Sequence, residues 1–413
     1  MGFGILVGFI INEAGWSGSV IPWIKPIGTI FIRLITMVAV PLVLASLIVG
    51  VASLRDLSKL RRIGTKTFLL YTTTTALAVS IGLMVGNILQ PGSGLDESMK
   101  ERLNSQYSSV VSEKMKGTSL NFTDMLVEIV PLNPFYSLAT ERGEMLQVVF
   151  FALILGLALN RIDDRLAEPV IRFFDGLTHA LIRVIDMIMK VAPIGVFALI
   201  AAVIADFGFD ILKPLGVYFV TVTTGLGLHV LLVYLPILVL FSKIPLFFFI
   251  RKFVKVQLVA FSSSSSAAAL PVNMEVCEKE LGVKKEVTSF VLPLGATINM
   301  DGTALYQGVA ALFIAQVYGI DLGLSEQMVI ILTATLASIG TAAVPGVGMI
   351  MLIIVLQSVH VPPEGIALIF GIDRILDMMR TTVNVTGDGV VASVVASTEN
   401  LLDQTENGSS KNA

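Results

Sequence analysis

Ser262-Ser263-Ser264-Ser265-Ser266-Ala267-Ala268-Ala269-Leu270-Pro271 interrupts a stretch that is otherwise apolar. Five consecutive hydroxyl side chains do not suit a helix facing lipid. A serine run between apolar flanks reads as the tip of a re-entrant hairpin. Such breaks are tolerated only where the backbone is buried in protein or lines a cavity. Residues 331–358 repeat the pattern: Thr333, Thr335, Ser338, Gly340 and Thr341 lead into Val344-Pro345-Gly346-Val347-Gly348, and an apolar run resumes at Met349. Two interrupted segments in corresponding positions point to a solute site near the bilayer midplane. The competing reading is a pair of ordinary helices with small-residue packing faces.

The composition places these segments in a membrane. Of 413 residues, 54% are hydrophobic and 14% charged, against about 25% charged in a soluble domain. Apolar runs at 25–53, 67–90, 140–160, 175–204 and 212–248 approach or exceed the roughly 20 residues that cross a hydrocarbon core. Residues 1–12 are apolar but lack a basic leader region and a cleavage motif, so they read as a membrane segment. Arg55, Lys59, Arg61, Arg62 and Lys66 cluster between two spans and mark that loop as cytoplasmic. Alternation then puts Arg251, Lys252 and Lys255 inside and the polar 91–129 region outside. Pro41 and Pro193 are expected to kink their helices. The tail from Asp403 reads as disordered.

Several function classes are excluded. A net charge of −3 gives no footprint for nucleic acid. The single cysteine, Cys277, allows neither an intrachain disulfide nor a multi-cysteine metal site. His179, His229 and His360 are scattered, and His229, in an apolar run, is expected to be packed rather than catalytic. No nucleophile–base pair is visible, which argues against an enzyme.

The chemistry lies in the C-terminal third. In Pro293-Leu294-Gly295-Ala296-Thr297-Ile298-Asn299-Met300-Asp301-Gly302-Thr303, Gly295 and Gly302 loosen a helix and expose carbonyls. Asn299 and Asp301 add hard oxygen donors, so the segment fits a small hard cation; a self-satisfied helix break is the alternative. The last span carries Asp373, Arg374, Asp377, Arg380, Thr381, Asn384, Thr386 and Asp388 in apolar surroundings. At 3.6 residues per turn, Asp377, Arg380, Asn384 and Asp388 fall within one stripe roughly 80° wide. Charges at that depth must be paired or line a cavity. The choice is between a binding surface and a structural ion-pair network. Arg380 can grip a carboxylate with a two-pronged fork, Asp377 can take an ammonium, and Asn384 a second carboxylate. That describes an acidic amino acid. Asp388, a turn beyond Asn384, could hold a cation with Asn299.

These motifs, with Val344-Pro345-Gly346, Asp377-Met378-Met379-Arg380-Thr381, Asn384-Val385-Thr386-Gly387-Asp388, Asn133-Pro134-Phe135 and Ala192-Pro193-Ile194-Gly195, give a chain that resembles the dicarboxylate/amino acid:cation symporter family of glutamate and aspartate transporters. The resemblance runs through nearly the whole chain. It implies an all-α polytopic membrane protein with eight transmembrane helices, two re-entrant helical hairpins and a glutamate-transporter-like elevator fold. The protein would be a multi-pass homotrimer of the cell (inner) membrane, in contact with membrane lipid. The implied scaffold is 1–62 plus 122–205, and the transport domain 63–90 plus 206–400, with hairpins at 251–278 and 326–358. An external loop would fill 91–121 and a flexible tail 401–413.

By the same resemblance, substrate is held by Ser265, Ser266, Thr303, Val344, Gly348, Asp377, Arg380, Thr381 and Asn384. Na+ is the implied co-transported ion, at more than one site and with no organic cofactor. One site would use Gly295, Asn299, Asn384 and Asp388. A second would use Thr297, Ser338, Ile339 and Thr341. A third would use Tyr71, Thr74, Thr75, Asn299 and Asp301, supported by Asp373. The chain departs from relatives at Ser264, where archaeal carriers have arginine, at Met378, where animal carriers have arginine, and at the additional Arg374. The intact Asp377, Arg380, Thr381 and Asn384 set favours L-aspartate or L-glutamate, and the neutral oxygen donors at the implied cation sites favour sodium. Proton-coupled glutamate/aspartate symport and C4-dicarboxylate symport are the alternatives.

Overall fold

Every long apolar run of the sequence becomes a helix, and polar or glycine-rich punctuation sets where each ends. The computed structural model describes residues 2–53, 61–94, 127, 130–139, 145–208, 212–339 and 346–403. The helices are α1 (Gly2–Glu13), α2 (Ser17–Ser53), α3 (Arg61–Leu89), α4 (Pro134–Ala139), α5 (Met145–Leu159) and α6 (Asp164–Phe207). Then come α7 (Leu212–His229), a π-helical segment Val230–Tyr234, α8 (Leu235–Phe241), α9 (Leu246–Ser263) and α10 (Ser266–Glu275). The chain finishes with α11 (Lys285–Ile298), α12 (Asp301–Val317), α13 (Leu324–Ser338), α14 (Val347–Ser358) and α15 (Ile366–Thr398). Arg55, Lys59, Thr341, Val344, most of the expected external loop and the tail beyond Asp403 lie outside the described residues.

Caps explain the boundaries. The Asp163 carboxylate accepts the Arg165 N–H at 2.8 Å to open α6, and Gly208, at φ 66°, closes it. α6 bends by 55° between Ile185 and Lys190. The bend lies just N-terminal to Pro193, whose ring displaces the carbonyl four residues back. α9 ends on Ser264 in the left-handed region, φ 52°, and Ser265 caps α10 by accepting the Ala268 N–H at 3.2 Å. The serine run is thus a tight turn between two helical arms, and the reading of it as part of one continuous helix falls. The arms of the second interrupted segment are α13 and α14.

Packing sorts by glycine. α2 lies against α6 and α5, where Gly28 faces Leu199, Gly195 faces Phe31 and Gly156 faces Val51 so closely that an added Cβ would collide. α3 lies against α12 in the same manner, Gly82 on Leu305 and Gly86 on Leu312. α12 is buried along its whole length, surrounded by α3, α7, α13, α14 and α15.

By length and composition, two helices among the described residues can cross a membrane, Arg62–Leu89 and Leu212–Phe241, or three if the bent α6 counts as one span. α15 is not among them: it carries five charged residues, Asp373, Arg374, Asp377, Arg380 and Asp388, and a polar run of Thr, Asn and Gly through 381–389. Nor is α12, because the helix pair is cut at Asn299-Met300.

The C-terminal segment differs from expectation at its start. Leu401–Asp403 is held, not loose: Val283 and Leu402 form an antiparallel bridge, Lys284 N–H donates to Leu401 O at 3.0 Å and Asp403 N–H to Gly282 O at 2.8 Å. Two apolar leucines there favour docking over solvent. Ion pairs fasten the same end. Glu399 meets Lys66 and Arg62, the latter at 3.2 Å. Glu280 meets Lys255 at 2.6 Å and Lys252 at 3.0 Å, tying the base of the first hairpin. Hydrogen bonds from Lys66 pull the Glu399 carboxyl below its usual range, and those from Lys255 and Lys252 do the same to Glu280.

A depressed folded-state pKa gives stability that is complete above the unfolded value of 4.5 and is lost as pH falls through the lower folded value. Glu280→Gln with Glu399→Gln should therefore flatten the acid limb of a Tm-against-pH profile below that value. At neutral pH solvent screening should hold each loss to under about 1 kcal/mol. A thermal-shift series across pH 3–7 checks this.

Candidate functional site

α15 delivers the charged stripe into the interior. Arg380 has no exposed surface. Its Nη2 donates to Asp377 Oδ1 at 2.7 Å and pairs with Asp373 Oδ1 at 3.2 Å. The guanidinium lies over the Tyr306 ring, 3.8 Å from its centroid. Two carboxylates and an aromatic face therefore offset the burial of this cation, and each is needed because an unpaired buried charge costs several kcal/mol. Arg380 Nε and Nη1 are buried with no hydrogen-bond partner among the described residues. Gly348 adjoins these donors: a Cβ there would stand 3.4 Å from Nη1 and 2.9 Å from Thr303 Cγ2.

Asp377 is approached from both sides. Gly346 N–H, at the start of α14, donates to its Oδ2 at 3.3 Å, and the half-exposed Arg374 comes within 4.0 Å of the same oxygen. Asn384, one turn beyond Arg380, joins α15 to α12. Its Oδ1 accepts the Gly302 N–H at 2.7 Å, and its Nδ2 donates to Thr303 Oγ1 at 3.2 Å. The structure thus gathers Thr303, Gly348, Asp377, Arg380 and Asn384 in one place. The Thr381 hydroxyl, buried in the same wall, is spent on Asp377 O at 2.8 Å. Ser265 and the buried Ser266 stand at the tip of the first hairpin, whose arm α10 packs on α15. Val344 lies outside the described residues.

A second polar centre sits at the break between α11 and α12. Asn299 Nδ2 donates to Asp388 Oδ1 at 2.9 Å and to Asn384 O at 3.0 Å. Its Oδ1 is buried and has no partner among the described residues. Gly295 is packed so that a Cβ would strike the Asp388 carboxylate and the Tyr71 hydroxyl. Gly295, Asn299, Asn384 and Asp388 are therefore together. One carboxylate, a free amide oxygen and nearby carbonyls form an oxygen set suited to a small hard cation.

Asp301 forms a third centre. The Thr75 hydroxyl lies 2.5 Å from its Oδ1 and 2.8 Å from Tyr71 O. Thr74 donates to Tyr71 O at 3.1 Å. Asp373, expected to support this centre, stands with Arg380 instead. Thr297 and Ser338 hydroxyls each turn back on their own helix, to Leu294 O at 3.0 Å and Thr335 O at 2.7 Å, while Ile339 ends α13 and Thr341 lies outside the described residues.

Three participants escaped the sequence reading. Tyr306 carries Arg380. Tyr234 OH donates to Asp301 Oδ2 at 2.8 Å, and His229 Nε2 lies 3.2 Å from the same oxygen. His229 is packed, as expected, but against a carboxylate. Its only signal was a histidine in an apolar run, five residues before a tyrosine.

Comparisons with known proteins give the chain's family. Residues 1–398 match the family described as the sodium:dicarboxylate symporter family. The chain is 39% identical to a proton/sodium-glutamate symport protein of Bacillus caldotenax, covering 97% of this chain and 94% of the relative. It is 38% identical to a proton/glutamate-aspartate symporter of Escherichia coli, covering 98% and 92%. A C4-dicarboxylate transport protein of Bacillus subtilis is 35% identical, over 97% and 92%.

Gly295→Ala should push Asp388 and Tyr71 apart and cost about 1–3 kcal/mol, the usual range for overpacking. Gly227→Ala, where an added Cβ meets nothing within 4 Å, should change stability by no more than about 1 kcal/mol. Thermal unfolding of the two purified variants compares them.

Proposed function

Because the chain belongs to the sodium:dicarboxylate symporter family, we propose that it imports L-aspartate and L-glutamate together with sodium. The observation that carries this reading is Arg380, buried beside Asp377 with two donors that have no partner among the described residues. A substrate side-chain carboxylate would take those donors, and its ammonium would take Asp377 in place of the Gly346 N–H. Asn384 and Thr303 would hold the second carboxylate. The exchange replaces an internal ion pair by two intermolecular ones, so a ligand carrying both signs of charge fits better than one carrying only a carboxylate.

Sodium is the proposed companion because two buried centres, at Asn299 with Asp388 and at Asp301 with Thr75, offer carboxylate, amide, hydroxyl and carbonyl oxygens. An anion entering a cell with an inside-negative potential is opposed by about 2.3 kcal/mol per charge per 100 mV. More than one cation per substrate is therefore needed. In this reading sodium binds first and raises substrate affinity, and substrate must then hold sodium tighter by the same factor. The mobile part would be 63–90 with 206–400, moving as an elevator against a fixed 1–62 and 122–205 in each protomer of an inner-membrane homotrimer. The eight-span topology belongs to the same proposal.

A second reading, C4-dicarboxylate symport, is favoured by Arg374. Its approach to Asp377 partly neutralises the ammonium acceptor and would welcome another carboxylate.

Uptake of labelled L-aspartate into proteoliposomes, with L-glutamate, succinate and L-serine as competitors, tests these readings. Sodium-driven accumulation, blocked by L-glutamate but not by L-serine, is expected. Arg380→Lys should weaken L-aspartate at least about tenfold, since lysine cannot reproduce the two-pronged contact. Asp377→Asn should abolish amino acid uptake. Retained succinate uptake in Asp377→Asn would favour the dicarboxylate reading, and accumulation that ignores sodium and follows a proton gradient would overturn sodium coupling.

A further inference from the structure

The π-helical segment Val230–Tyr234, closed by the Leu235 N–H reaching Val230 O, has a consequence for Asp301. π turns are rare and are commonly found at functional sites. Five residues apart on an ordinary α-helix, His229 and Tyr234 would stand about 140° apart. The widened turn brings both to one carboxylate oxygen, Asp301 Oδ2, at 3.2 and 2.8 Å. The two rings also meet edge to face, 4.6 Å between centroids at 72°. His229, Tyr234 and Asp301 are all essentially without exposed surface. His229 Nδ1 has no partner among the described residues, so the ring proton belongs on Nε2, where it donates to the carboxylate. The opposite tautomer would bury an unsatisfied N–H and set a lone pair against Oδ2.

We propose that His229 and Tyr234 are positioning residues for a monovalent-cation site at Asp301. They hold Oδ2 with two donors and fix the plane of the carboxylate. Oδ1, on the Thr75 side, is then the oxygen left for the ion. With one carboxylate oxygen occupied, the carboxylate cannot chelate with both oxygens, which suits a singly charged ion over a divalent one. The proposal rests on the sodium-coupled reading above.

The test is a sodium titration with two readouts in purified protein: the half-saturating sodium concentration for L-aspartate uptake, and the rise in Tm caused by sodium alone, without amino acid. His229→Ala and Tyr234→Phe should each raise half-saturating sodium by roughly tenfold, the equivalent of about one buried hydrogen bond. Both should shift the sodium-induced rise in Tm to correspondingly higher sodium. His229→Gln, which keeps an N–H donor, should recover most of the sodium affinity. Parent-like sodium curves in both His229→Ala and Tyr234→Phe would overturn the proposal while leaving sodium coupling intact. A parent protein indifferent to sodium in both readouts would instead remove the sodium reading, and this proposal with it. Should His229→Ala fail to fold, Tyr234→Phe, which deletes one hydroxyl, decides the matter.

Discussion

A guanidinium with no access to water has to be neutralised where it stands, and Arg380 imposes that requirement on everything around it. Asp377 and Asp373 share one of its nitrogens, and Tyr306 offers its ring face. These partners come from two helices, so α15 and α12 are locked in register by charge as well as by packing. Gly302 sits against the Arg380 backbone with no room for a Cβ, and Gly348 opens the space beside the guanidinium. The pocket is the volume left once the arginine's own needs are met.

The two buried carboxylate centres obey the same economy on a smaller scale. Each has a single carboxylate, Asp388 or Asp301, and each carboxylate already receives neutral donors from the protein. Asn299 Nδ2 serves Asp388, while Thr75, His229 and Tyr234 surround Asp301. The α11–α12 break brings Asn299 next to Asp388 and sends Asp301 to the opposite side toward α3 and α7. Asn384 bridges this region to the arginine pocket through the Gly302 N–H and the Asn299 side chain. The Arg380 and Asp388 centres therefore share a side chain, which is a direct physical route for each to feel the other.

Much of this was legible in the sequence because it is periodic. The stripe Asp377, Arg380, Asn384 and Asp388 follows from helical spacing alone, and the serine run between apolar flanks pointed to a turn. The break at Asn299-Met300 was marked by flanking glycines. Other parts depend on long-range placement that periodicity does not carry. Tyr306 looked like one more aromatic residue in an apolar helix, and His229 like a core histidine. Their roles appear only when α12 and α7 are set against α15 and α3. Asp373, expected beside the Asp301 centre, pairs with Arg380 on its own helix. It sits seven residues before Arg380, two helical turns, and the long guanidinium stem reaches back along its own helix to meet it. Leu401 and Leu402, read as the start of a loose tail, are held through a backbone bridge that no side-chain pattern announces.

The crowding of anions around Arg380 also constrains how such a protein can change over evolutionary time. Replacing the arginine by a neutral residue leaves Asp373 and Asp377 facing each other with no cation between them, Arg374 being half in solvent and 4.0 Å from only one of them. The first step toward a neutral cargo is thus uphill for the fold itself. A lineage could cross only by first installing a new positive charge nearby or by giving up one carboxylate. Met378, next to Asp377 in sequence, is one position at which that compensation could arise. Substrate preference in this scaffold is therefore historically contingent: the order of substitutions matters as much as their identity.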